Sequence, residues 1–459
     1  MKAKGRASES RRIVLEILLE SDKQPGKGSD LIKAVLDKYD YLDARDKAFI
    51  KRLSNGCMER SISLDHVLDQ FSSTKTKKMK KPILYILRMG VYQILYMDGV
   101  FDGAACNEAV YLAQSKGFAG LKGFVNGVLR NISRKKDEIS WPSRDDDLYS
   151  CLSVRYSVPM WIVKRICDER GADAAEAMFK ACDTERPVCV NTLDYDTDKL
   201  KTEWESARVK VSANPYFENA AFLSDVPGVS RLYGFDEGKF IVQDTASILA
   251  VFVCGIKKGD TVIDLCAAPG GKSLMASNIC GKDGKVFSYD ISESKVDKIR
   301  ENAARLKYDN IFAAVHDASV FDEDLVNKAD VVIADLPCSG LGVMGRKPDI
   351  RFRLKEEDID SLACLQRDIL KCAAQYVKPG GVLLFSTCTV SRAENEDNRS
   401  WFLENTDYEE LPFYDRLPGA LRSDSARSGY LQLISGIPAG EPLTDGFFIS
   451  LFRRKDERH

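Results

Sequence analysis

The spacing of apolar residues changes character twice along the 459-residue chain. In its first part the period is helical. The stretches "SRRIVLEILLE" (10–20), "SDLIKAVLDKY" (29–39), "ARDKAFIKRLSNGCMERSISLDHVLDQF" (44–71), "KPILYILRMGVYQILYMD" (81–98) and "CNEAVYLAQSKG" (106–117) set apolar side chains three and four residues apart. That spacing gathers them on one face of a helix, so residues 1–140 are predicted to be helical throughout. One polar stretch, "SSTKTKKMKKP" (72–82), interrupts the series with Lys75, Lys77, Lys78, Lys80 and Lys81. It reads either as a solvated loop or as one that contacts phosphates. After the acidic "WPSRDDDLYS" (141–150), a helical run over 158–182 and a strand "PVCVNTL" (187–193) predict a small α/β unit.

From about residue 240 the pattern becomes strand, helix, strand. "TVIDLCA" (261–267), "KVFSYD" (285–290), "IFAAVHD" (311–317), "DVVIADLP" (330–337) and "GGVLLFSTC" (380–388) are short apolar runs separated by polar helical stretches such as "SESKVDKIRENAARLK" (292–307). Continuous apolar runs alternating with helices predict an α/β fold, a parallel sheet covered on both faces. In such sheets ligands bind beyond the carboxyl ends of the strands. Those ends read "CAAPGGKS", Asp290, Asp317, "DLPCSG" and "STC", which brings the chemically active residues to one edge.

Length alone predicts two or three domains. Hydrophobic content of 44% with 30% charged residues describes a globular chain. No run approaches the roughly 18 apolar residues needed to span a bilayer. The basic start "MKAKGRASESRR" leads into acids at amphipathic spacing, a surface helix and not a signal peptide. Thirteen scattered cysteines with no C-x-x-C pair, beside three histidines, predict free thiols in a reducing cytoplasm, without disulfides or a structural metal. The net charge of −2 hides an asymmetry. Residues 1–142 hold 26 Lys+Arg against 17 Asp+Glu, a net +9, and the rest of the 67 and 69 leaves 41 against 52, a net −11. A basic front half suggests a polyanionic partner.

Three ligands compete for "DLCAAPGGKS" (264–273). A phosphate-binding loop needs a glycine where Cys266 stands, and the G-x-G-x-x-G of a nicotinamide site is absent. A nucleoside with a compact zwitterionic tail needs only the close approach allowed by Gly270 and Gly271, an acid for its ribose (Asp290) and an acceptor for an adenine amino group (Asp317). S-adenosylmethionine matches this set. Cys338 and Cys388 follow the fourth and fifth strands, with Asp335 just before the first. Buried cysteine can simply pack as a small hydrophobe. Two thiols beside a methyl-donor loop suit the C5 carbon of a pyrimidine, which is too weak a nucleophile unaided. A thiolate adding to C6 makes C5 electron-rich, and a carboxyl group at N3 and N4 takes up the charge that develops on the ring.

"DLCAAPGGKS", "ADLPCSGLGVMGRKPDIR" (334–351) and "FSTCTVSRAENE" (385–396) resemble the signature motifs of the RNA cytosine-C5 methyltransferases, the Nol1/Nop2/Sun family. "LDARDKAFIKRLSNGCMER", "LRMGVYQILYMDGV", "NEAVYLAQSKG" and "KGFVNGVLRNISR" are similar to the NusB-like helical domain of its bacterial Sun/RsmB branch, and "VRYSVPMWIVKRI" and "FIVQDTASIL" to that branch's connecting segments. The resemblance covers almost the whole chain. It implies a NusB-like all-helical RNA-binding domain over 1–142, a small α/β connecting domain over 143–238, and a Rossmann-like S-adenosylmethionine-dependent methyltransferase domain over 239–459. It implies methylation of C5 of one cytosine in 16S ribosomal RNA, at the branch's cytosine-967-type site, by a cytoplasmic monomer with no membrane or obligate protein partner. Cys388 would be the nucleophile and Cys338 would assist product release. Cys266, Ala267, Ala268, Pro269, Gly270, Gly271, Lys272, Asp290, Asp317 and Asp335 would hold the cofactor, Asp335 also meeting the target base. Arg346, Lys347, Arg351 and the basic N-terminal domain would contact RNA. Two departures stand out: Leu336 where the family often has Ala, and Ala393 before Glu394 where an acidic pair is usual. Two other readings remain, the same chemistry on transfer RNA and a non-catalytic RNA-binding assembly factor.

Overall fold

The structure, a computed structural model, describes residues 8–24, 28–39, 41–184, 186–226, 228–437 and 444–456. The basic start before Ser8 lies outside them. The chain divides into two compact units, one within Met1–Asp168 joined by Lys347–Leu354, the other Glu169–Arg346 with Lys355–His459.

The first unit is built from the helices Glu9–Ser21, Gly28–Lys38, Ala44–Glu59, Ser61–Phe71, Lys81–Tyr96, Asp102–Ser115, Lys122–Arg134 and Leu148–Tyr156. The predicted run over 44–71 breaks at Arg60, whose φ of −100° and ψ of 14° leave the helical region. Stripes at three- and four-residue spacing, such as Ile13, Ile17, Leu64, Leu68, Val125, Leu129 and Ile132, meet in a single apolar core. Pro82 sits in the first turn of its helix, where a missing N–H leaves no bond unmade. In the lysine loop Lys75 donates to the Asp69 carbonyl and Lys81 pairs with Asp22, while Lys77 and Lys78 are exposed. Arg351 corrects an expectation. It is 3% exposed and donates to the Tyr156 carbonyl at 3.1 Å, so its guanidinium is an internal brace of this unit and not an RNA contact.

Among its described residues the second unit holds twelve strands: β1 (Val188–Asn191), β2 (Lys210–Ala213), β3 (Ala220–Ser224), β4 (Ile241–Val242), β5 (Thr261–Asp264), β6 (Lys285–Asp290), β7 (Ile311–Val315), β8 (Ala329–Asp335), β9 (Val377–Thr387), β10 (Tyr408–Glu410), β11 (Tyr430–Leu433) and β12 (Phe447–Arg454). A four-stranded antiparallel sheet has the order β2-β3-β1-β4. Its own core is centred on Trp204, from the helix Thr197–Ser206, which meets Phe240 edge-on and donates to the Tyr233 carbonyl at 3.0 Å. Trp204→Ala is expected to cost about 3–5 kcal/mol, the usual range for deleting a fully buried large aromatic; the urea midpoint of the purified protein checks it.

The large sheet has the order β10-β12-β9-β8-β5-β6-β7, with β11 beside β12. The five strands from β7 to β9 are parallel and β12 runs antiparallel to β9. Helices Gly271–Cys280, Glu293–Leu306 and Glu356–Tyr376 make the crossovers. This is a Rossmann-like sheet, and the strand order reverses between β5 and β8. The crevice beyond their carboxyl ends is where such sheets take ligands.

Candidate active site

The turn after β5 is shaped by its neighbours. Gly270 adopts φ +107°, in the left-handed region that favours glycine, and caps the helix that begins at Gly271. Its N–H donates to the Ala267 carbonyl at 2.7 Å, and Ala267 N–H donates to the Tyr289 carbonyl on β6 at 2.8 Å. Asp290, at the end of β6 and 5% exposed, accepts from Ala268 N–H at 3.0 Å through one oxygen. Its other oxygen accepts from Ile291 N–H and from Lys295 Nζ, at 2.8 and 2.9 Å. The Pro269 carbonyl accepts from Asn302 at 3.0 Å. Burial, with three aspartates nearby, pushes the Cys266 thiol up, so it stays protonated.

The space over this turn is open, since a Cβ at Gly271 would meet nothing closer than Gln243 at 3.9 Å. Beside the Asp290 carboxylate, Ile291 presents an apolar surface that is 62% exposed. An acid for ribose hydroxyls next to an apolar face for an adenine ring fits S-adenosylmethionine. It does not fit a nucleoside triphosphate, because the lysine that would reach phosphates in a P-loop is buried and turned to Asp335 at 2.6 Å. Asp317 lies just past β7, exposed, and accepts from Ser319 N–H and Oγ, which hold its carboxyl below the ordinary range.

Beneath the turn Asp264 is buried and accepts from Ser273 Oγ at 2.7 Å, which in turn accepts from Ser288 Oγ at 2.8 Å. Burial pushes its carboxyl up to about 7, against the pull of the Ser273 hydrogen bond. An acid with a raised folded-state value is protonated when folded while its unfolded form, near 3.9, ionises. Stability therefore falls as pH rises from about 4 to about 7 and changes no further on this account above that. Asp264→Asn should gain on the native protein across that window, read as the difference in melting temperature; a difference independent of pH would contradict it.

Asp335 closes β8 and is paired in register with Ser386 of β9, whose hydroxyl donates to its Oδ1 at 2.7 Å. Three residues past Asp335 and two past Ser386, Cys338 and Cys388 come out side by side with their sulfurs 3.3 Å apart, both reduced and half-buried. The hydrogen bond between them, then burial, push the Cys338 thiol well above its usual range. The Cys338 thiol thus keeps its proton beside the Cys388 sulfur. Burial alone would lower the Lys272 ammonium, but the carboxylates of Asp335 and Asp264 pull the other way and the net direction is up. Lys272 and Asp335 thus form a charged pair beside the turn.

The loop after Cys338 is pinned through its backbone. Gly342 N–H donates to the Cys388 carbonyl at 3.1 Å, and the Gly342 carbonyl accepts from Gly446 at 3.0 Å. A Cβ at Gly342 would stand 2.0 Å from the Gly446 oxygen, so only glycine fits. Arg346 pairs with both Asp244 and Asp445 at 2.9 Å. These pairs anchor the loop, and both Arg346 and Lys347 are exposed. Glu394 and Asn395, fully buried beneath the two thiol loops, were missed as site residues. Their only signal was a polar "ENE" directly after the Cys388 segment. Among the described residues no group of three or more His, Cys, Asp or Glu is gathered as metal ligands would be.

Known proteins are similar to this chain over nearly its whole length. The family described as 16S rRNA methyltransferase RsmB/F matches residues 251–453, and the NusB family matches residues 8–134. The Bacillus subtilis (strain 168) protein named "Probable ribosomal RNA small subunit methyltransferase B" is 34% identical over 452 residues, covering 97% of this chain and 98% of that one. The chain belongs to the ribosomal RNA small subunit methyltransferase B family. Another member, from Serratia proteamaculans, is 30% identical over 365 residues, 78% of this chain and 82% of its own. The crystal structure of PH0851 shares the fold, with a TM-score of 0.76 and 24% identity over 96% of this chain and 98% of that one. A NusB domain precedes a Rossmann-like methyltransferase fold, and the cofactor is S-adenosylmethionine.

Proposed function

We propose that this methyltransferase modifies C5 of one cytosine in 16S ribosomal RNA, at the cytosine-967-type site, through a transient bond from Cys388 to C6. The observation that carries the reading is the pair of sulfurs 3.3 Å apart, one a proton donor to the other, beside the Lys272–Asp335 pair. The Cys388 thiolate adds to C6 and the C5–C6 π electrons move onto C5, N3 and O2. S-adenosylmethionine, when bound, supplies the methyl group as an electrophile. Asp335 accepts from the N4 amino group, and the Lys272 ammonium keeps a positive charge beside the ring as electrons collect there. Loss of the C5 proton to a base restores the double bond and breaks the C6–S bond. The Cys338 S–H, hydrogen-bonded to the departing sulfur, stabilises it as thiolate.

Cys266 to Lys272, Asp290 and Asp317 would hold the cofactor, with Asp335 where cofactor and base meet. In the same reading residues 1–142 hold RNA, 143–238 connect and 239–459 carry the chemistry, in a monomer acting in the cytoplasm. No helix among the described residues is long and apolar enough to cross a membrane. Mapping 5-methylcytosine in ribosomal and transfer RNA, with and without the protein, tests this. One modified cytosine in 16S RNA is expected. Modification in transfer RNA alone would replace the substrate, and no transfer of labelled methyl to either would leave an assembly factor.

RNA affinity should weaken steeply with salt, because neutralising phosphates releases counterions. The net +9 on residues 1–142 motivates this. Between 50 and 200 mM salt we expect Kd to rise at least about tenfold, which two neutralised phosphates already give. A flat profile in a filter-binding titration would remove the basic unit from the account.

A further inference from the structure

We propose that Glu394 is a positioning residue that holds the Cys338 loop against the end of the Cys388 strand, so that the second thiol stays in place for product release. The proposal rests on the covalent reading above and deepens it. Glu394 is 0% exposed. Its Oε1 accepts from Ser339 N–H at 2.8 Å and from Gln366 Nε2 at 3.2 Å. Its Oε2 lies 2.5 Å from Ser339 Oγ and 3.4 Å from Thr389 Oγ1, and those two hydroxyls are 2.6 Å apart. Ser339 follows Cys338 and Thr389 follows Cys388, so one carboxyl grips the residue after each thiol.

The neighbouring Asn395 does a different task. It accepts from Thr387 Oγ1 at 2.6 Å and donates to the Thr389 carbonyl at 3.1 Å, which brackets Cys388 from both sides. The nucleophile's segment therefore keeps its own brace when Glu394 is removed. The Cys338 segment keeps less, because the Ser339 N–H has no acceptor but the carboxyl; what remains is the Ser339–Thr389 hydroxyl contact at 2.6 Å and the Pro337 carbonyl held by Gln366 at 3.0 Å. The link from Gly342 to the Cys388 carbonyl lies four residues further along.

Burying a carboxyl is costly unless it is fully hydrogen-bonded, and burial pushes this one up while the Ser339 bonds oppose it. What a carboxyl offers is acceptance on both oxygens. Ser339 and Gln366 present N–H donors to one of them, which a glutamine oxygen can still accept. The hydroxyls at the other can rotate to accept from a glutamine amide. Glu394→Gln should therefore keep the link, and Glu394→Ala should break it.

The test is single-turnover methylation of RNA followed by denaturing electrophoresis. Glu394→Ala is expected to complete the first methyl transfer, to accumulate at least about tenfold more RNA–protein adduct than the native protein, and to lose steady-state turnover. Glu394→Gln is expected to restore release. Ser339→Ala, which keeps the backbone donor, should accumulate adduct to a lesser degree and serves if Glu394→Ala does not fold. A folded Glu394→Ala protein with native turnover and native adduct levels would overturn the proposal. So would one that forms neither adduct nor product, because the loss would then lie at the nucleophile. If the native protein and Cys338→Ala both fail to form adduct or product, the covalent reading beneath fails instead.

Discussion

Replacing Cys388 by alanine is expected to lower methyl transfer to RNA by at least a thousandfold. That is about 4 kcal/mol of barrier at 25 °C, the least that removing an attacking atom should cost when no other group can form the bond. The neighbouring thiol is a poor substitute, because its proton is held by the hydrogen bond to Cys388 and by burial. The substitution should leave the fold intact. Cys388 is half-buried, and the strand end is fixed by Asn395 through Thr387 and Thr389, not through the sulfur. Cofactor affinity, read by calorimetry, should stay within about twofold, a few tenths of a kcal/mol. Loss of cofactor binding together with activity would mean that Cys388 shapes the pocket and does not attack.

Cys338→Ala is expected to give the opposite phenotype, with bond formation retained and bond cleavage slowed. The nucleophile, the cofactor turn and the Asp335–Lys272 pair are untouched by it. What disappears is the S–H 3.3 Å from the nucleophile, the donor that stabilises the sulfur as it leaves. RNA should remain attached to protein after denaturation, at levels at least about tenfold above the native enzyme, with turnover falling by about a hundredfold, in the range for losing one proton-bearing catalytic group. If Cys388→Ala traps the adduct and Cys338→Ala does not, the two roles are exchanged.

Much of this geometry could be read from residue patterns, for a physical reason. The inner strands β5 and β8 carry buried apolar runs because both faces of the sheet are covered there, and "KVFSYD" forms a strand over its whole length. The edge strand β7 departs, with Phe312 and Val315 exposed. Once strands are placed, residues at their carboxyl ends share an edge, which is why Asp290, Asp335 and the two thiols could be grouped in advance. β12 went unread. It is an apolar run like the others, and nothing local says that it inserts antiparallel beside β9. Lys272 likewise opens a helix in a motif whose spelling suggests a phosphate ligand, yet its side chain reaches a carboxylate 63 positions away. Arg346 is exposed but paired, whereas Arg351 only looks like surface charge in one dimension. Only tertiary packing turns the first to Asp244 and Asp445 and the second to the Tyr156 carbonyl. Glu394 and Asn395 went unread for the same reason, since a short polar segment resembles a solvated loop until the donors that surround it are known.

The central claim is best tested by locating the bond itself. RNA transcribed with 5-fluorocytidine carries a fluorine at C5 that cannot leave as a cation the way a proton does, so the C6–S bond, once formed and followed by methyl transfer, persists. After incubation with S-adenosylmethionine, nuclease and protease digestion and mass spectrometry, the added nucleotide mass should fall on the peptide that contains Cys388. Finding it on the Cys338 peptide, or on neither while unmodified RNA is methylated normally, would contradict the account.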